Sequence, residues 1–289
     1  VFALTGMAGQ SVRVMVLDGN GNQLTAYTVA SGTSFSLRLD SPGRHYLLAH
    51  AHVGNTEAVA LGVSVQVLRD THRALELGMG QRGQIGSSAA SDYWHFSLEQ
   101  ASTLVFQGTS DQSLSWVLSE AQGGSLFSGS MGARVLSLAA GDYSLRVHGW
   151  PSGVSQYALA VSSLAEATVL DAGQVVAAEI AAGQAGAVFM LPVAAGEAWY
   201  LGAQSAQPGS RVAVFNAQGS QILNSVIGGA ALQLPVAARS GHYTVVVSAD
   251  APEQASAFSL QAHRRTETVG AAVLGEAIAG ELAGGHEFH

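Results

Sequence analysis

The sequence predicts an all-β protein of three tandem, jelly-roll-like β-sandwiches, and three observations predict it. Apolar and polar residues alternate with period two in short runs bounded by Gly, Asn, Asp and Ser. A turn-and-strand pattern recurs about every hundred residues. No segment shows the 3.6-residue period of an amphipathic helix.

The recurring element is a turn leading into an alternating strand, at PGRHYLLAH (42–50), AGDYSLRVHG (140–149) and SGHYTVVVSA (240–249). Tyr46, Tyr143 and Tyr243 take equivalent places in it, each two or three residues after a turn glycine: Gly43, Gly141 or Gly241. Upstream, an apolar strand runs into a polar turn at VRVMVLDGNGNQL (12–24), LSWVLSEAQGGSL (114–126) and VAVFNAQGSQIL (212–223). Downstream lies a closing strand, at VALGVSV (59–65), YALAVSS (157–163) and FSLQAH (258–263). Inward alternation selects Trp94, Phe96, Trp116 and Tyr143 as the core of the central copy, with Phe189, Leu191 and Tyr243 in the third.

The central and third copies also have a front half, GMGQRGQI (78–85) before DYWHFSL (92–98) and GQVVAAEI (173–180) before AVFMLPV (187–193). The first copy starts at VFAL without one, and a spare front half, GEAIAGEL (275–282) then AGGHEFH, sits at the other end of the chain. Ile85 to Trp94 and Ile180 to Phe189 span 9 residues, and so does Leu282 to Phe2 if Val1 follows His289. Leu4 then matches Phe96 and Leu191, so the sequence reads as one period of a longer array cut in mid-strand. The expected organisation is 1–68, a sandwich lacking its front strand; 69–165 and 166–264, two complete sandwiches; and 265–289, a linker and front strand that complete the first sandwich of an adjacent copy. The assembly interface then centres on Gly275, Leu282, Phe288, His289, Val1, Phe2 and Leu4.

Composition bounds the function. Of the 289 residues 48% are hydrophobic and only 11% charged, well under the usual quarter, which suits a surface covered by other copies. A net charge of −8 with no basic stripe argues against nucleic acid as a partner. There is no Cys, and all 12 basic residues are Arg, so disulfides, thiolate metal sites and lysine chemistry are excluded. No apolar run is long enough to span a membrane.

Over about 78–163 the central copy resembles the bacterial pre-peptidase C-terminal domain family. A Gly-rich first strand is followed by the aromatic strand DYWHF, a strand-turn beginning at Asp111, AGDYSLRV and the closing YALAV. The resemblance implies a jelly-roll-like sandwich serving as an extracellular or cell-surface accessory, binding or spacer module of a bacterium. It also raises the calcium that some family members hold through acidic residues; only Asp111 stands at that place, with Gln10 and Gly209 near its equivalents.

Remaining chemistry is sparse. His50 and His52 share one face of a strand, a spacing that can chelate Zn or Cu, but His50 also occupies a core-facing place in the set that starts at Tyr46. DGNGN (18–22) opens like a calcium loop but has Gln23 and Val29 where such a loop needs Gly and Glu. No nucleophile elbow, phosphate loop or dinucleotide fingerprint is present. No cofactor is expected and no catalysis. The expected role is a structural repeat unit of an extracellular fibre or adhesin stalk whose partners are other copies of itself. The alternative is an accessory module that holds a secreted hydrolase to surface polysaccharide, for which Trp150 is the aromatic on a turn.

Overall fold

The computed structural model describes residues 2–5, 11–30, 34–35, 39, 43–51, 62–65, 70–86, 90–121, 123–149, 154–250 and 254–265. All of its regular structure is strand apart from one turn of 3-10 helix.

Six strands lie in the first region: β1 (Phe2–Thr5), β2 (Ser11–Leu17), β3 (Gln23–Ala30), β4 (Ser34–Phe35), β5 (Tyr46–Ala51) and β6 (Gly62–Val65). They form two three-stranded sheets, β3-β2-β5 and β4-β1-β6. Nine follow: β7 (Thr71–Ala74), β8 (Gln81–Ile85), β9 (Ser91–Leu98), β10 (Ser102–Ser110), β11 (Leu114–Glu120), β12 (Ser125–Ser130), β13 (Arg134–Leu138), β14 (Gly141–Gly149) and β15 (Ser155–Ser163). Their sheets, β12-β11-β14-β9-β7 and β13-β10-β15-β8, face each other.

After the 3-10 turn Leu164–Glu166 come β16 (Thr168–Val169), β17 (Val175–Ile180), β18 (Gly186–Val193), β19 (Trp199–Ser205), β20 (Arg211–Phe215), β21 (Gln221–Val226), β22 (Leu232–Gln233), β23 (Gly241–Ser248) and β24 (Ser256–Arg264). Their sheets are β16-β18-β23-β20-β21 and β17-β24-β19-β22. Except for the short parallel edges β7 and β16, the strands of both sandwiches pair antiparallel.

Alternation decides what each sandwich buries. Trp94, Phe96, Trp116 and Tyr143 share one core with Phe106 and Tyr157, and Phe189, Leu191 and Tyr243 share the next with Trp199 and Phe258. Trp116 meets Phe106 edge-on at 6.4 Å, a preferred aromatic geometry. The tyrosines that open β14 and β23 are tied back to the preceding turn: Tyr143 donates to the Ala139 carbonyl (2.8 Å) and Tyr243 to that of Pro235 (3.1 Å).

Two expectations for the first region are corrected. Tyr46 is not the counterpart of Tyr143 and Tyr243. Val16 pairs with Leu47 as Leu118 pairs with Leu145 and Val214 with Val245, which puts His45 at the tyrosine place. GRHY holds one residue more than GDY or GHY, and in a period-two strand one residue reverses every side chain. Leu47 and Ala49 therefore pack on Val12, Val14 and Val16, while Tyr46, Leu48 and His50 face outward.

The second correction concerns VFAL. β1 lies between β6 and β4, as β10 lies between β15 and β13 and β19 between β24 and β22. It is the counterpart of the strand after DYWHFSL, not of DYWHFSL itself. Phe2 and Leu4 match Leu104 and Phe106, the same 102-residue offset that relates Val14 to Trp116. Val1, Gly275, Leu282, Phe288 and His289 lie outside the described residues.

The second and third sandwiches are stacked face to face. The outer face of β13-β10-β15-β8 offers Val105 and Val135, the 3-10 turn adds Leu164, and the next sandwich answers with Ala213, Phe215 and Val246. Phe215 is 2% exposed and Val246 0%. Side chains of this kind contribute ~1.5–3 kcal/mol each on burial, so this layer acts as a second core. Four sheets follow one another in a continuous stack.

Candidate assembly surface

The face that makes this contact recurs on each copy, so its three versions can be compared position by position. A bulge at the end of the second strand fixes the correspondence: the register shifts at Val16/Leu17, Leu118/Ser119 and Val214/Phe215. In the third copy the outward residues are Ala213 and Phe215 on β20, paired with Val246 and Thr244 on β23. In the first copy the same places hold Met15 and Leu17, paired with Leu48 and Tyr46. In the central copy they hold Val117 and Ser119, paired with Arg146 and Ser144. The third face is apolar and covered. The first is apolar and open, with Tyr46 49% and Leu48 47% exposed. The central face is mostly polar, and its four residues are half-buried.

The turn beside this face is also repeated. Asp18 Oδ1 accepts from the amides of Asn20 (2.9 Å) and Asn22 (2.8 Å), and Asn216 Oδ1 accepts from those of Gln218 (3.1 Å) and Ser220 (2.9 Å). DGNGN is thus a self-satisfied turn. The Asn22 side chain and backbone hold the Asp18 carboxyl below the usual carboxylate range. At the tip of the third copy's turn a Cβ on Gly219 would lie 2.6 Å from the Val135 carbonyl of the preceding sandwich, whereas Gly21 has open space around it.

The other candidate ligands are accounted for in the same way. His50 is exposed, and its Nδ1 lies 3.2 Å from the Ala51 carbonyl; the core place expected for it belongs to Ala49. His52 and Trp150 lie outside the described residues. Asp111 ties a turn to β15, accepting from Ser155 Oγ (2.7 Å) and the Gln156 amide (3.0 Å). Among the described residues no three His, Asp or Glu side chains cluster as metal ligands.

Two features were not legible in the sequence. Inside the central sandwich the Asp92 carboxylate is buried, accepting from Tyr157 Oη (2.5 Å) and Thr71 Oγ1, while Trp94 Nε1 donates to Tyr157 Oη (2.9 Å). Burial, then the hydrogen bond to Asp92, pushes the Tyr157 phenol well above its ordinary range. Ala187, Phe258 and Phe189 fill the corresponding places of the third copy. The same sandwich therefore forms with or without this network.

The second feature lies on the central copy's polar face. His72 and Tyr93 stack at 4.8 Å between ring centroids, and His72 Nδ1 meets His95 Nε2 at 3.0 Å with the two ring planes 3° apart. The Arg146 guanidinium lies 5.9 Å from the centre of Tyr93. Strand spacing alone brings these groups together, because β7 runs parallel to β9 with His72 beside Tyr93.

Fold and surface define an all-β chain of stacked β-sandwiches. No family model matches the sequence, and no curated protein matches it. Among solved structures, the pre-peptidase C-terminal domain of a collagenase from Bacillus anthracis is 16% identical, covering 34% of this chain and 99% of its own, with a TM-score of 0.28. A tail fibre protein of a phage of E. coli is 9% identical over 71% of this chain and 43% of its own, with a TM-score of 0.23. Likenesses of this size carry no inference about activity or partners. No helix among the described residues is long and apolar enough to cross a membrane.

Proposed function

We propose that this protein is a non-enzymatic, structural repeat unit of an extracellular or cell-surface bacterial fibre, with other copies of itself as its partners. The observation that carries the reading is the apolar sheet-on-sheet stack of the second and third sandwiches through Val105, Val135, Phe215 and Val246. A stack of this kind extends in one direction, sandwich by sandwich, as a rod must. The segment 265–289, with Gly275, Leu282, Phe288 and His289, then fills the place beside β5 of an adjacent copy that β9 fills beside β14 and β18 beside β23.

Negative-stain microscopy and sedimentation of the purified chain test this reading. Elongated particles whose length grows with concentration, and which persist in 1 M NaCl, are expected. With 11% charged residues and a net charge of −8, assembly should depend little on ionic strength, although the Debye length falls to ~3 Å. A compact monomer at every concentration would refute the fibre.

A second reading, an accessory module binding surface polysaccharide, is favoured by the His72, Tyr93 and His95 rings beside Arg146 on an open sheet face. Affinity electrophoresis in polysaccharide gels decides it: retardation abolished by Tyr93→Ala supports it, and unretarded wild-type protein removes it.

A further inference from the structure

We infer that the outer face of β3-β2-β5 is a docking surface for a second copy of this chain, which it grips by the outer face of that copy's β17-β24-β19-β22 sheet. The inference rests on the fibre reading and deepens it by naming the two surfaces.

Within one chain, the face carrying Ala213, Phe215, Thr244 and Val246 is covered by the outer face of the preceding sandwich's β10–β15 sheet. Met15, Leu17, Tyr46 and Leu48 stand at the same four places, with the same cross-strand pairs and the same bulge; all are apolar, Tyr46 and Leu48 exposed and Met15 and Leu17 half-buried. A large apolar side chain that is half exposed is ordinary when alone; a contiguous set matching a known interface marks a contact. In the central copy these places hold one apolar and three polar residues, Val117, Ser119, Ser144 and Arg146.

Pairing registers also name the other half of the contact. Ser155 pairs with Ile85 as Ser256 pairs with Ile180, so β24 corresponds to β15 and β19 to β10. Val105 and Gln107 then correspond to Tyr200 and Gly202. The observed contact buries Thr244 on one side and Gln107 on the other, each with a side-chain atom that has no hydrogen-bond partner. In the inferred contact those places hold Tyr46 and Gly202. The bulk moves to the other side, and a hollow of about 260 Å³ lined by Gly202, Tyr200 and Gln261 stands ready for it. The turn tip agrees as well. Gly219 abuts the edge strand β13, and the open Gly21 would meet β22, the counterpart of β13.

Sedimentation velocity and chemical cross-linking of the full chain test this. The protein has no Cys, so single-cysteine variants report cleanly. Wild-type protein should associate, and Leu48→Asp and Tyr46→Arg, both at exposed positions, should raise the dissociation constant at least tenfold while circular dichroism is unchanged. A chain with Leu48→Cys mixed with a chain with Gly202→Cys should be joined by a short bismaleimide, and neither should be joined to itself. If Leu48→Asp and Tyr46→Arg associate like wild type, the surface is wrong but the fibre stands. Cross-linking of Leu48→Cys to itself would show a face-to-face pair and overturn the inferred occupant. Wild-type protein monomeric throughout would overturn both.

Discussion

The first and third copies turn the same face outward and treat it differently. In the third, Phe215 and Val246 vanish under the preceding sandwich; in the first, Leu17 is half-buried and Leu48 is 47% exposed. Their strands pair in the same register and bulge at the same place, so the backbone does not make the difference. What differs is whether another sheet lies on top. The central copy, with Ser119 and Arg146 at those places, shows that an uncovered face can be polar. The fold by itself therefore does not require this face to be apolar.

One substitution made three times gives the largest expected contrast. Phe215→Asp places an unpaired charge in the covered layer and should cost ~3–5 kcal/mol, read by urea denaturation as undocking or unfolding of the third sandwich. Leu17→Asp should leave unfolding of the chain nearly unchanged and act on association instead. Ser119→Asp should stay within ~0.5 kcal/mol of wild type. Equal costs at all three positions would erase the comparison.

A glycine pair sharpens it. Gly21 and Gly219 sit at the same turn place with φ of 88° and 77°, so alanine at either carries the left-handed penalty of ~1–2 kcal/mol. Only at Gly219 does the new Cβ also meet the Val135 carbonyl, at 2.6 Å. Thermal unfolding should show Gly219→Ala to be the more damaging of the two. The difference between them measures how tightly the turn is held against β13.

Smaller effects depend on pH. On β14 of the central copy, burial and then Arg146 hold the His148 imidazole below its ordinary range. The unfolded chain therefore binds more protons than the folded one near and below the ordinary value of 6.5, and stability should fall as pH drops through that region. Replacing His148 with Gln should flatten the fall in melting temperature as pH drops below the ordinary value of 6.5.

The smallest effect separates the two turns. The folded-state pKa of Asp18 is lowered, so its contribution is present above the ordinary value of 3.8 and is lost as pH falls through the folded value. Amide exchange at Asn20 and Asn22 should speed up in acid relative to Gln218 and Ser220, whose acceptor is Asn216 and does not titrate. Parallel behaviour of the two turns would mean that the Asp18 carboxylate does not hold its own.

Much of the fold was written locally. Period-two alternation placed Trp94, Phe96, Trp116, Phe189 and Leu191 in cores, because a strand's two faces follow directly from its covalent geometry. The turn residues Asp18 and Asn216 could be read too, since their hydrogen bonds reach only a few residues along the chain. The same periodicity misled at VFAL. It repeats every two residues, so it fits β1 to the strand that precedes its true counterpart in the chain as readily as to the counterpart itself, and only pairing with β6 and β4 separates the two. It misled again at Tyr46, where one extra residue before the strand reverses the face and the aromatic that matches by spacing points outward.

What the sequence determined by itself is which residues alternate, where the chain turns, and that one sandwich pattern recurs. The tertiary structure alone decided which strand lies beside which, that Thr244 and Val246 are interior residues of a stack, and that Tyr46 and Leu48 are their exposed counterparts. The physical reason is range. Alternation and turns are set by neighbours in the chain, whereas the covering of a sheet face is set by residues a hundred positions away, which no local pattern can record.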